Sequence, residues 1–130
     1  MSKTGENFSI INTTKGRLPS GPFAKIKSKI LGDIYSLSLN FVGTKKIQSL
    51  NSKYRKINKS TDILSFPLSK NEGEIFICPK IAKIKAPKFG RNEKDFIIFL
   101  FIHGLVHLLG HDHGQKMENI ETKFRKKFAI

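Results

Sequence analysis

NEKDFIIFLFIHGLVHLLGHDH, residues 92–113, is the stretch that decides the fold. From Phe96 to Leu109 it is apolar except for two histidines and one glycine. Asn92 precedes the run as an N-cap residue, and Asp95 follows at the capping-box position. Gly110 supplies the stop, because glycine takes the left-handed conformation in which helices end. The spacing therefore predicts a helix from the Asn92 cap to about Leu109. Its surface is apolar on nearly every side, so it must be a central, buried helix. It is too short to span a bilayer, which takes about 20 residues.

Outward from this helix, residues 34–42 (IYSLSLNFV) alternate apolar and polar, the period of a half-buried strand. Further strands are expected at 8–13, at 62–66, where Pro67 should stop the strand, and at 73–79. Residues 23–31 read as a helix with Phe23, Ile26 and Ile30 on one face. Thr44 should cap a second helix, 45–57, whose apolar face would be Ile47, Leu50, Tyr54 and Ile57. A short basic helix breaks before Pro87, and residues 117–128 form a basic amphipathic helix. Strands mixed with helices predict an α/β (α+β) domain, with a small mixed β-sheet packed against helices. The length of 130 residues suits a single domain, 1–130.

The chain carries 24 basic against 10 acidic residues, a formal net charge of +14. Such an excess attracts polyanions, nucleic acid first and an anionic membrane surface second. Twenty of the basic residues are lysine, which a biased base composition in the genome would also produce. Lys80, Lys83, Lys85, Lys88 and Arg91 are candidate contacts to an RNA backbone, although a lysine run is ordinarily a solvated face. The single cysteine, Cys78, permits no intramolecular disulfide and agrees with a reducing compartment. The first ten residues lack the pattern of a signal peptide. A cytoplasmic protein without membrane attachment is the expectation.

All four histidines fall within residues 103–113. His103 and His107 are four apart on the predicted helix, which puts them on one face, one turn apart. After the turn at Gly110, His113 can reach the same point. The spacing His-x3-His-x2-Gly-x2-His is that of a three-imidazole metal site with a fourth position open for water. Zinc is the ion that neutral imidazole suits best; nickel, copper and iron also fit. Ordinary core histidines would have to adopt ligand spacing without a ligand, and burying imidazoles without partners costs free energy. His111 has three readings: a fourth ligand, a proton shuttle or a solvent-facing residue. Asp112 either orients a ligand imidazole from behind or caps the loop.

Zinc peptidases with such a helix carry His-Glu-x-x-His, the glutamate acting as general base. Here Gly104 stands in that place. The cradle resembles that of the metzincins, but without the base peptide cleavage is disfavoured. A metal ion can still generate hydroxide near neutral pH. A phosphodiester would need a cation near its phosphoryl oxygens. Gly104 also allows a neighbouring backbone or a substrate to come close.

HGLVHLLGHDH resembles the signature of the YbeY endoribonucleases, bacterial ribosomal-RNA maturation factors. Val106 and His111 depart from the family pattern, the latter standing where tyrosine is usual. LNSKYRKINKSTDILSFP (50–67) is similar to a second family motif and GEIFICP (73–79) to a third. The resemblance covers roughly residues 50–115. It implies a zincin-like metallohydrolase domain with a central metal-binding helix, acting on single-stranded RNA. It further implies a part in small-subunit 16S ribosomal RNA 3′-end maturation and ribosome quality control. The family's metal ligands carry onto His103, His107 and His113, and its functionally important arginine onto Arg55. Asp62 and Ser65 are weaker candidates, on a strand that could line the substrate cleft. Two rival readings are an atypical metallopeptidase, with Asp112 or a later glutamate as base, and a ribosome-assembly factor whose metal is structural.

Overall fold

The computed structural model describes residues 2–5, 7–110 and 114–130. Five strands form one sheet: β1 (Ser2–Gly5), β2 (Phe8–Asn12), β3 (Ser36–Phe41), β4 (Ile63–Ser69) and β5 (Glu72–Ile77), in the order β1-β2-β3-β5-β4. β2, β3 and β5 run parallel, while β1 and β4 pair antiparallel at the two edges. The mixed sheet read from the sequence is therefore present. Five helices accompany it: α1 (Phe23–Leu31), α2 (Thr44–Arg55), α3 (Pro79–Lys85), α4 (Glu93–Leu108) and α5 (Gln115–Lys127). A 3₁₀ turn, Ala86–Phe89, follows α3.

Alternation along β3 explains its two faces. Leu37, Leu39 and Phe41 join Phe8, Ile10, Ile75 and Ile77 on the face covered by α1 and α4. On the other face α2 closes a smaller cluster of Val42, Ile47, Leu64 and Cys78. α4 is the hub of the larger core: Phe96, Phe101, Ile102, Leu105 and Val106 are at most 1% exposed. Phe101 meets Phe23 edge-on at 5.2 Å, a favoured aromatic geometry. The Asn92 side chain accepts the Asp95 backbone N–H at 2.8 Å. At the far end Gly110 adopts φ +99° and donates to the His107 carbonyl at 2.9 Å. Both ends of this helix fall where the sequence puts them.

Three expectations need correction, and one strand has no counterpart among them. β4 does not stop at Pro67 but runs through it to Ser69, with an irregularity between Pro67 and Ser69. β4 is an edge strand, where a missing N–H costs no ladder bond. Gly43, not Thr44, is the residue before the first turn of α2. On α2, Ile47 is buried, but Tyr54 and Ile57 are 57% and 43% exposed. Finally, β1 is a strand with no apolar signal, formed by pairing onto β2.

Candidate metal centre and substrate cleft

α4 positions His103 and His107 one turn apart, both half-buried among fully buried neighbours. They line a cleft of about 360 Å³ together with Tyr54, Arg55, Ile63, Ser65 and Phe66. Three elements build it: the floor is α4, one wall is the edge strand β4, and the other is the last turn of α2. Arg55 is the final residue of α2. Behind it Lys56 takes a left-handed conformation, φ 61° and ψ 25°. Buried Asn51 donates from its side chain to the Lys59 carbonyl at 3.0 Å, tying the following loop to the helix. The chain thus turns away sharply, leaving Arg55 at the cleft.

β4 passes close over α4 at Gly104. A β-carbon there would lie 2.8 Å from Ser65 Oγ, 3.0 Å from Ile63 Cδ1 and 3.1 Å from Ile75 Cδ1. Any side chain, glutamate included, would have to push these three side chains aside. Ser65 Oγ donates to the Gly104 carbonyl at 3.5 Å, the long limit of a hydrogen bond.

α5 packs along α4 and brings in a residue the sequence reading did not single out. Glu121 is buried, and its Oε1 lies 3.0 Å from His103 Nδ1. Arg125 Nη1 approaches the same oxygen at 3.5 Å. The hydrogen bond that Glu121 accepts raises the His103 pKa, against burial, which lowers it; the charges of Glu121, Asp62 and Glu118 raise it further. A signal for Glu121 was present. It lies four residues after Met117, on the buried face of an amphipathic helix, where a carboxylate is out of place without a partner.

The basic residues of the α3 region do not line this cleft. Lys80, Lys83 and Lys88 are exposed. Lys85 pairs with Asp62, Nζ to Oδ2 at 3.4 Å, and the Arg91 guanidinium lies 4.7 Å over the Phe99 ring. His111, Asp112 and His113 lie outside the described residues. Among the described residues no group of three or more His, Cys, Asp or Glu side chains could hold a metal ion. No helix among them is long and apolar enough to cross a membrane.

A mixed sheet with a buried His-x3-His helix under its edge strand defines a zincin-like α/β domain. A sequence model of the family Endoribonuclease YbeY matches residues 19–129. The chain belongs to the YbeY family. It is 36% identical over 120 residues to the Endoribonuclease YbeY of Staphylococcus carnosus, covering 83% of this chain and 78% of that one. It is 43% identical over 110 residues to that of Nautilia profundicola, covering 77% and 78%. The solution structure of a Thermotoga maritima protein superposes with a TM-score of 0.69 at 25% identity, covering 93% of this chain and 88% of that one.

Proposed function

We propose that this chain is a zinc-dependent endoribonuclease that cleaves single-stranded RNA, with small-subunit ribosomal RNA as its substrate. The observation that carries the reading is the cleft itself: two imidazoles one turn apart, a guanidinium on the facing helix, and a buried carboxylate behind one imidazole. The donor set fits a borderline-soft divalent ion. Imidazole nitrogens suit zinc, and a ligand histidine characteristically gives its other ring nitrogen to a carboxylate. With His103 Nδ1 engaged by Glu121, Nε2 is the nitrogen that would be left for the ion. His103, His107 and His113 would hold the ion. When bound, the ion supplies Lewis acidity for water activation and for charge on the phosphoryl group.

The chain's own residues supply the rest. Arg55 faces the negative charge that grows on the phosphoryl oxygens, and such a donor in a partly desolvated cleft stabilises it strongly. Exposed Lys80, Lys83 and Lys88 lie outside the cleft and would guide the RNA backbone through long-range attraction. Ser65 shapes the β4 wall. The peptidase reading loses ground on sterics: the Ser65, Ile63 and Ile75 side chains crowd the place where a glutamate would start.

The test is metal content and cleavage of a single-stranded RNA by wild type, His107→Ala and Arg55→Ala. His107→Ala should lose bound zinc and activity together. Arg55→Ala should keep its zinc and lose roughly 100-fold or more in turnover, the scale of one removed charge-stabilising donor. Wild-type turnover in Arg55→Ala would refute its role. Metal-free protein that cleaves RNA as fast as the loaded form would refute the metal dependence.

A further inference from the structure

A second cavity shares His103 with the cleft but not Arg55. Its volume is about 290 Å³, and it is lined by Phe89, Phe96, Phe99, His103, Asp62 and Glu118 among others. His103 and Ile63 border both spaces, so the cavity adjoins the cleft. Phe96 is 1% exposed, whereas Phe89 is 55% exposed at the cavity. Its ring is held 5.0 Å from Phe96 and 5.9 Å from Phe99. Gly90, in the left-handed conformation at φ 66°, ends the 3₁₀ turn immediately behind it. A large phenyl ring is therefore presented to solvent on a rigid aromatic support.

Resting on the ribonuclease reading above, we propose that this cavity is a nucleobase subsite. It would receive one unpaired base of the RNA beside the cleaved linkage, and it would prefer a base with an exocyclic amino group. Stacking on an exposed aromatic ring is how unpaired bases are gripped irrespective of sequence. The polar lining then decides which part of the nucleotide enters. Asp62 and Glu118 are partly offset by Lys85 and Arg125, each at 3.4 Å, but among the described residues carboxylates and no lysine or arginine line the cavity, so the uncharged base goes in and the backbone stays out. Carboxylates accept hydrogen bonds from amino groups, as they do from cytosine N4. Adenine, cytosine and guanine each have such a donor. Uracil has no amino group, and its one Watson–Crick donor, N3–H, lies between two carbonyl oxygens that would face the carboxylates. Lys85 against Asp62 and Arg91 over Phe99 place cations beside the cavity, where the phosphates of an inserted nucleotide would run.

The experiment compares zinc-loaded wild type, Phe89→Ala, Phe89→Trp and Glu118→Ala on oligo(A), oligo(C) and oligo(U) of equal length, reading Kd and KM. Wild type should favour oligo(A) and oligo(C) over oligo(U). Phe89→Ala should weaken binding of the first two by about 5- to 100-fold, the range of one lost base stack, with its zinc content intact. Phe89→Trp should restore it, and Glu118→Ala should narrow the gap to oligo(U). Equal Kd and KM for wild type and Phe89→Ala on all three oligomers would overturn the subsite while leaving the nuclease reading in place. So would an equal preference for oligo(U). A zinc-loaded wild type that neither binds nor cleaves any of them would overturn the nuclease reading itself, and the subsite with it.

Discussion

Two single residues show how chemistry and packing share this site. Glu121 holds Nδ1 of His103, leaving Nε2 as the nitrogen that would take a metal, and Arg125 holds Glu121. Removing such a carboxylate characteristically lowers metal affinity 10–100-fold. Glu121→Ala is therefore expected to bind zinc about 10- to 100-fold more weakly in a chelator competition. Glu121→Gln, which keeps an acceptor oxygen, should lose less. A zinc affinity unchanged in folded Glu121→Ala would show that Glu121 only pins α5 to α4. Gly104 is the complementary case. The sequence offers two reasons for it, a missing catalytic base and a close approach, and the structure supplies the second. Gly104→Ala should destabilise by about 1–3 kcal/mol, since a methyl group must push the packed Ser65, Ile63 and Ile75 side chains aside. Urea denaturation of metal-free protein measures this, and a midpoint equal to wild type would be inconsistent with the packing described.

At the scale of elements, ends and edges carry the surprises. The last turn of α2 places Arg55 at the cleft because Lys56 reverses the chain in a left-handed conformation. A lysine there bears a steric cost that glycine does not. Lys56→Gly should accordingly raise stability by up to about 1 kcal/mol, with glycine's greater unfolded-state freedom offsetting part of the gain. Thermal unfolding would detect it, and a lowered Tm would contradict the strain. The periodicity of α2 was legible, but its outward ring was not. Tyr54 has the spacing of a core residue, yet it stays 57% exposed at the cleft, its ring 5.4 Å from Phe66. Pro67 was read as a strand end because proline cannot serve a central strand. Only the pairing order shows that β4 has a single neighbour.

The whole molecule is a sheet with α1 and α4 on one face and α2 on the other, and α4 is the axis of the larger core. Phe101 sits on that axis, fully buried against Phe23 and Phe8. Phe101→Ala should cost about 3–5 kcal/mol, read by denaturant unfolding, because a cavity there cannot collapse between a sheet and two helices. A cost under 1 kcal/mol would mean α4 is not the axis of the core. The sequence by itself determined this axis. An apolar run with a capping asparagine at one end and a glycine at the other has one stable solution, a buried helix, and its length sets His103 and His107 on one face. It also determined the alternation that makes the strands and, through its motifs, the likeness to the YbeY family. Tertiary structure alone decided what stands around the histidines. Arg55 is 48 positions from His103 and Glu121 is 18, so no local period links them. They meet because β4 pairs with β5 at the sheet edge and α5 folds back along α4, contacts whose free energy comes from burying surfaces distant in the chain.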